Sequence, residues 1–314
     1  MSSAEPMRLA INTRRWDTGE RSGVFTLVAD AIRTLSDIEV VESDLPPRQC
    51  IAHDGEVLAL LDEYDAWDST IGEGDGAYAR FIEAIDPPLI IKQQTRRGAP
   101  YERRTIAGGL LIPSHGADLP AGSIDRERTI DVIARMRVDE YLDDGDGMCE
   151  ASWMRARGAI VEQARSLEGE GYVIRSGRVP SDRYLEELYH TKIGFNWQGF
   201  GRLTYRIVEY LRAGVVMITQ PLGDRWPLRD DVVLEDGVTC HFCDRPDAFA
   251  REAILLLRDR EMMRRIRRNA LELWRERLTL PAMGEWYEEQ IVGVISRQLL
   301  SLEHIHSWKP GTRH

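Results

Sequence analysis

The sequence contains no apolar run that approaches the roughly 18 residues a helix needs to cross a membrane. It has only four cysteines in 314 residues, too few for a fold that depends on disulfide bonds. Residues 1–6 also lack the basic and apolar segments of a secretory signal. The sequence therefore predicts a cytoplasmic protein with reduced thiols, whose core is stabilised by hydrophobic burial.

Lysine is rare: it occurs only at positions 92, 192 and 309, and all other basic residues except histidine are arginines. The formal net charge is −11, and it is unevenly distributed. Residues 1–125 carry 12 basic and 21 acidic side chains, whereas residues 126–314 carry 29 and 31. A protein this acidic does not attract nucleic acid over its whole surface, so only a local basic groove could bind it.

Short apolar runs alternate with helix-like stretches in the first half of the chain. The predicted elements are strands at 8–12, 39–41, 57–61, 89–92 and 110–113 and a helix at 24–35. Short runs bounded by glycine, proline and charged residues are typical of a buried parallel sheet with helices on both faces.

A polar stretch at 118–128 predicts a domain boundary, with one domain at 1–125 and the other at 126–314. A second alternation follows it. The predicted elements are strands at 130–134, 172–175, 193–196, 215–219 and 232–234, helices at 151–167, 181–190, 203–213, 246–257 and 261–277, and a long closing helix at 283–302. Two successive β/α series predict an α/β protein with two Rossmann-like domains facing each other across a cleft.

The most informative stretch is a glycine-containing loop that leads from a predicted strand into a helix. Gly199 and Gly201 would let backbone N–H groups approach an anion at the helix N-terminus. In the helix, Arg202, Arg206 and Glu209 share one face. Guanidinium groups can pair with phosphates, and a carboxylate can accept hydrogen bonds from ribose hydroxyls. A solvated stripe of Arg–Glu ion pairs has the same spacing, so spacing alone leaves both interpretations open.

This stretch resembles the donor-binding half of GT-B glycosyltransferases, particularly the exostosin-like group. The family shows a Ser-Lys-Phe strand, a glycine loop, and Arg-x-x-Glu followed by a glycine and a Val-Ile strand. The matching residues here are Thr191-Lys192-Ile193, Gly199, Thr204-x-Arg206-x-x-Glu209, Gly214 and Val215–Ile218. The resemblance covers residues 180–230 in motif detail. It implies a GT-B fold with a closing C-terminal helix, and a glycosyltransferase activity.

The resemblance also implies roles for individual residues. Arg206 would meet the diphosphate and Glu209 the ribose of a nucleotide sugar, with a UDP-sugar as the expected donor and an unidentified hydroxyl group as acceptor. The other donor-binding candidates are Gly199, Gly201, Arg202, Thr204, Lys192 and Arg137. For Lys192 and Arg137, a surface ion pair is the alternative interpretation. A GT-B enzyme holds the diphosphate with a helix dipole and cationic side chains, so neither a metal nor a further cofactor is expected.

Two departures from the family pattern leave the stereochemistry of transfer open. Val216 stands where a proline is usual, and Gly201 stands where retaining families carry the first glutamate of Glu-x7-Glu. An inverting transfer would need a base to take the acceptor proton. Asp17, which follows the first predicted strand, is the first candidate. The others are Glu63, Asp65, Asp68 and His115.

Two other function classes stay open beside this one. The first is a GT-B-shaped nucleotide-binding or regulatory protein that has lost transfer activity. The second is a glycosyltransferase acting on nucleic-acid bases, against which the acidity of residues 1–125 argues. The lone pair Cys240-x-x-Cys243 offers too few ligands for a zinc site and is predicted to hold free thiols. The arginine-rich helix at 261–277 is predicted to be a solvated amphipathic helix.

Overall fold

A computed structural model describes residues 6–14, 25, 27–42, 49–62, 77–92, 95–96, 104–108, 121–136, 138, 151–198, 205–222, 225–226, 229 and 231–307. The helices are Val28–Ile32 (α1), Ala77–Ile85 (α2), Ala151–Ser166 (α3), Ser181–Tyr189 (α4), Tyr205–Ala213 (α5), Phe249–Arg258 (α6), Arg260–Arg277 (α7) and Leu280–Ser307 (α8). The strands are Met7–Asn12 (β1), Ile38–Glu42 (β2), Cys50–His53 (β3), Glu56–Asp62 (β4), Ile90–Lys92 (β5), Thr95–Arg96 (β6), Thr105–Ala107 (β7), Ile130–Ala134 (β8), Ile174–Ser176 (β9), Thr191–Phe195 (β10), Val216–Thr219 (β11), Arg225–Trp226 (β12) and His241–Phe242 (β13).

The first sheet has the strand order β2-β1-β3-β4-β5-β7 within the described part of the chain. Its strands pair in parallel except at β3, which is antiparallel to both β1 and β4. This corrects the prediction of a parallel first sheet. Asp54 and Gly55, both with positive φ, form the tight β3–β4 turn, and Asp-Gly is a favoured pair for such a hairpin. The predicted strand at 110–113 lies outside the described residues.

The second sheet is parallel throughout, with the order β13-β11-β10-β8-β9. Strand β8 has the predicted bounds. The predicted strand at 232–234 is wrong, because this segment is irregular and the fifth strand of the described sheet is β13. Val232 and Leu234 are buried without strand pairing, and the Thr239 hydroxyl accepts a hydrogen bond from the backbone N–H of Glu235. The strand-like alternation of buried and exposed residues at 232–234 therefore comes from an irregular segment that leads into a turn, not from a strand.

Each sheet is covered by helices on both faces. The first lies between α2 on one side and α1 with α8 on the other. Successive residues of β4 point to opposite faces, so Leu60 packs on the α2 side and Leu61 on the side of α1 and α8. The second lies between α3 with α6 and α5 with α7, and Val132 and Ile133 point to opposite faces in the same way. The predicted α/β class and the organisation into two sheet-centred units are confirmed.

Helix α8 connects the two units. It begins beside α7 in the second unit and packs against α1 in the first, where the Tyr287 hydroxyl donates to the Gly108 carbonyl at 2.9 Å. One hydrophobic cluster therefore extends from the first sheet through α1 and α8 to α5 and α7. The predicted closing helix is found, extended at both ends. No described helix combines the length and hydropathy that a membrane span requires.

Candidate functional site

The carboxyl ends of β8, β10 and β11 place polar groups along one edge of the second sheet. Asn196 directly follows β10, and its backbone N–H donates to the Ile218 carbonyl at 2.9 Å. Its side-chain Nδ2 donates to Thr219 Oγ1 at 3.0 Å, which fixes the orientation of the amide and identifies Oδ1 as its acceptor atom. Ligands of open α/β sheets bind outside the carboxyl ends of the strands, so this edge is the expected binding site.

Arg206, in the first turn of α5, reaches this edge. Its Nη1 lies 3.5 Å from Asn196 Oδ1, and its Nη2 donates to the Arg135 carbonyl at 3.2 Å. Both partners are neutral oxygens. Within the described part of the chain, no carboxylate lies within 4 Å of this guanidinium. Its positive charge is therefore not compensated by an ion pair, which favours an anion-binding role over the ion-pair stripe.

The Arg135 carbonyl is itself held in place. The Arg135 guanidinium forms a bidentate ion pair with Glu187, at 2.6 and 2.8 Å, and also donates to the carbonyls of Ser176 and Gly177. These contacts tie the segment after β8 to α4 and to the end of β9. The oxygen that accepts from Arg206 consequently belongs to a fixed backbone.

Glu209, one turn after Arg206 on α5, accepts a hydrogen bond from the Tyr184 hydroxyl at 2.9 Å. Burial, together with the neighbouring Tyr210 and Glu209, holds the pKa of Tyr184 well above its ordinary value, so the phenol keeps its proton and acts as a donor. Tyr210 in turn donates to the Phe195 carbonyl at 3.1 Å. The Glu209 carboxylate is thus oriented from α4, close to Arg206.

The structure brings Arg206 and Glu209 together but does not bring Lys192 to them. Lys192 lies near the amino end of β10, whereas Arg206 lies beyond the carboxyl end of the same strand. Its ammonium group is paired with Asp131 at 2.6 Å, which is the surface ion pair considered as the alternative. The remaining candidates lie outside the described residues. These are Asp17, Arg137, Gly199, Gly201, Arg202 and Thr204, together with Glu63, Asp65, Asp68 and His115.

Three residues of the site were not predicted from the sequence: Arg135, Tyr184 and Asn196. Asn196 is the last residue of one predicted strand and Arg135 directly follows another, so their positions at strand ends were a usable signal. Tyr184 carries no such signal, since its contact with Glu209 spans 25 residues between two helices.

The Cys240-x-x-Cys243 pair flanks β13, and both thiols are free and buried. Burial raises the pKa of both, with the nearby Asp236 adding to the effect at Cys240. His241, between them, lies 3.1 Å from Glu252 through Nε2. In the part of the chain that the structure describes, no group of three or more histidine, cysteine or acidic side chains is arranged to hold a metal ion.

We expect these thiols to react slowly in the folded protein. Burial raises the pKa of Cys50 to about 12, so at pH 8 this thiol is almost entirely protonated and inaccessible. A Cys149→Ser variant leaves Cys50, Cys240 and Cys243, and its reaction with a disulfide reagent at pH 8 should show no fast phase. All three thiols should react rapidly in denaturant. A fast-reacting thiol in the native variant would contradict the buried assignment.

Comparison with known families and structures finds the following. Residues 155–283 match the model of a glycosyl transferase-like family. A comparison with curated proteins finds no match. The similar solved structures include the pneumococcal O-GlcNAc transferase GtfA with UDP and GlcNAc, at 12% identity and a TM-score of 0.47 over 76% of this chain and 52% of that one. Anabaena HepE with UDP and glucose is 13% identical, with a TM-score of 0.45 over 74% of this chain and 71% of that one. S. aureus TarM is 11% identical, with a TM-score of 0.46 over 84% of this chain and 58% of that one.

The chain spans about half the length of the GtfA chain. The family match contains Arg206, Glu209, Tyr184 and Asn196, and it ends within α8. It confirms a glycosyl transferase-like family for the stretch that contains the motif after β10. Residues 155–283 are a glycosyl transferase-like domain.

Proposed function

We propose that the protein is a GT-B glycosyltransferase that binds a UDP-sugar in its second unit and transfers the sugar to a hydroxyl acceptor. The observation that carries the proposal is the position of Arg206 within the glycosyl transferase-like domain. Its uncompensated guanidinium lies at the carboxyl edge of a parallel sheet, on the face of α5 that also carries Glu209.

Arg206 would bind the diphosphate of the donor. Its present acceptors are one amide oxygen and one carbonyl, at 3.5 and 3.2 Å, and both contacts are long. A phosphate oxygen would form a shorter, charge-assisted hydrogen bond with the same donor. When the bond to the sugar breaks, negative charge develops on the diphosphate, and a fixed cation then stabilises the leaving group.

Glu209 would bind the ribose. A carboxylate accepts hydrogen bonds from the two hydroxyls of a ribose, and the Tyr184 hydroxyl already orients this one from the side of α4. The separation of one helical turn between Arg206 and Glu209 suits a nucleotide, whose diphosphate and ribose are adjacent groups. Tyr184 would act as a positioning residue because it acts through Glu209.

We propose that the transfer needs no metal. The support is Arg206 together with the amino end of α5, since both supply positive charge where the diphosphate would lie. A chelator should therefore leave UDP binding unchanged. An affinity that falls on removal of divalent cations would contradict the metal-free assignment while leaving the nucleotide site intact.

On the acceptor side, Asp17 stays the candidate base for an inverting transfer. It would take the proton of the acceptor hydroxyl as that oxygen attacks the anomeric carbon and UDP leaves. We also propose a reduced, cytoplasmic setting, which the free thiols of Cys50, Cys240 and Cys243 support.

The test is a thermal-shift and calorimetric panel of UDP, GDP, ADP, CMP and dTDP and their common sugars. A nucleotide at 100 times its Kd should stabilise the fold by about 2.7 kcal/mol. Arg206→Ala should weaken binding at least about tenfold, because it removes the cation that faces the diphosphate. Arg268→Ala, an exposed arginine of α7, is the matched control and should bind as the parent does.

The same panel separates the competing functions. Selective binding of one nucleotide, lost in Arg206→Ala, together with slow hydrolysis of its sugar, supports a transferase. Binding without any turnover over a broad acceptor screen supports the regulatory alternative. If no nucleotide stabilises the protein, the donor site proposed at Arg206 is wrong.

A further inference from the structure

A second cationic site lies at the opposite edge of the second sheet. A cavity of about 620 Å³ opens beside the amino ends of β8 and β10, next to α7. Its lining includes six basic side chains: Arg126, Arg128, Lys192, Arg260, Arg264 and Arg267. The volume falls within the range of small-molecule sites. In a protein with a net charge of −11, such a concentration of positive charge requires an explanation.

Acidic side chains compensate only part of this charge. The two carboxylates of the lining are already engaged: Asp131 pairs with Lys192 at 2.6 Å, and Asp125 pairs with Arg264 at 3.3 Å. The four other arginines of the lining have no carboxylate within 4 Å among the described residues. The cavity therefore has an excess of about four positive charges.

Arg128 shows this excess most clearly, since only 6% of the residue is exposed. Its guanidinium donates to the carbonyls of Thr191 and Ala213, at 2.5 and 2.7 Å, and its Nε–H has no partner among the described residues. Burial, and then the neighbouring charges of Arg267 and Arg126, lower the pKa of Arg128 to about 9. Burying a cation without a counter-ion is costly, and a bound anion would reduce that cost.

Three further arginines line the cavity from α7, and one of them, Arg267, also donates through Nε to the Gly214 carbonyl at 3.0 Å. Arg260, Arg264 and Arg267 are spaced by four and three residues along α7 and so share one face of that helix. Tyr172, Leu257 and Met263 add apolar surface to the wall. The cavity therefore combines several cationic side chains, which can bind an anionic group of a ligand, with apolar surface that can contact an uncharged part of the same ligand.

We propose that this cavity is a binding site for a small ligand that carries a phosphate or diphosphate group. Phosphate fits better than a carboxylate because it carries up to two charges and offers several oxygens to separate guanidinium groups. The site is separate from the donor site, because Arg206 lies beyond the carboxyl end of β10 and the cavity lies at the amino end. The inference does not depend on the proposed transferase activity.

The test uses inorganic pyrophosphate as the probe and calorimetry as the readout. All variants are made in an Arg206→Ala background, so that binding at the proposed donor site does not contribute. Arg260→Gln/Arg264→Gln removes two exposed charges from the cavity and should weaken pyrophosphate binding by about tenfold or more. Arg265→Gln/Arg268→Gln removes two exposed charges from other positions on the same helix, outside the cavity lining, and should change the affinity less than about twofold.

Saturable binding that only the cavity pair weakens supports the site. If both double variants weakened pyrophosphate binding equally, the effect would be one of general charge, and the proposed site would be wrong. The site would also be wrong if the Arg206→Ala protein showed no saturable binding of pyrophosphate. Vesicles of phosphatidylglycerol, added as a competitor, distinguish two sources of the phosphate group. Displacement of pyrophosphate assigns the site to a lipid headgroup, and retention assigns it to a soluble ester.

Discussion

Gly284→Ala is expected to destabilise the protein by about 2 kcal/mol, although alanine is the better helix former. Gly284 lies in α8 where that helix meets α1. A Cβ atom at this position would lie 2.2 Å from the Ala31 carbonyl oxygen and 2.9 Å from Thr34 Oγ1. The nearest atom belongs to a helix backbone, and the Thr34 hydroxyl already donates to that same carbonyl, so neither can move aside without loss. The two helices would have to separate.

The measurement is urea unfolding, in which the midpoint should fall at an unchanged slope. Gly293→Ala is the matched control, because it makes the same change nine residues along the same helix. There the new Cβ would lie 3.5 Å from the flexible Arg297 side chain, an ordinary contact. The helix propensity gain of up to about 1 kcal/mol should therefore appear as stabilisation. If both alanine variants changed the free energy of unfolding in the same direction, the close approach of α8 and α1 would be contradicted.

Lys92→Met is expected to cost about 3–5 kcal/mol. The Lys92 ammonium and the Asp62 carboxylate are both fully buried at the carboxyl ends of β5 and β4, with Nζ and Oδ2 2.9 Å apart. Methionine fills a similar volume but leaves the Asp62 carboxylate in the core without the ammonium. Desolvation of that charge is then no longer offset by the ion pair.

The control for this prediction is Lys192→Met, which removes the other described lysine. Lys192 is 34% exposed and pairs with Asp131, so water can replace the lost partner and the cost should stay below about 1 kcal/mol. The double change Asp62→Leu/Lys92→Met should recover part of the loss, because it removes both buried charges. Equal costs for the two single lysine variants would show that burial of the Lys92 pair does not matter for stability.

The sequence predicted those elements best whose signal is local. Strand β8 was predicted at its observed bounds, and the helices of the second unit within a few residues, because apolar spacing and flanking glycine or proline mark them directly. Strand β3 was not predicted, although Asp54-Gly55 is the turn signal of a hairpin. Its omission led to the wrong expectation of a parallel first sheet.

The candidate site was predictable only along α5. Helical spacing alone places Arg206 and Glu209 on one face, and the structure agrees. The partners that hold them come from other elements: the Arg135 carbonyl is 71 residues away and the Tyr184 hydroxyl 25. For Lys192, the order of the chain already excluded a place in the donor site, since Lys192 lies at the amino end of β10 while the glycine loop follows the carboxyl end of that strand. A side chain at one end of a parallel strand cannot serve the other end.

The path of α8 affects the order in which the protein can fold during synthesis. The α1 face of the first unit is covered by Met283, Tyr287 and Ile291, which the ribosome delivers long after the first sheet is complete. The hydrogen bond from Tyr287 to Gly108 alone spans 179 residues. Local contacts can form early, but this surface stays exposed to water until α8 has been synthesised. The hydrophobic core of the first unit is therefore incomplete until α8 packs against α1. A fragment of residues 1–125, made without α8, should expose the apolar face of α1 to water.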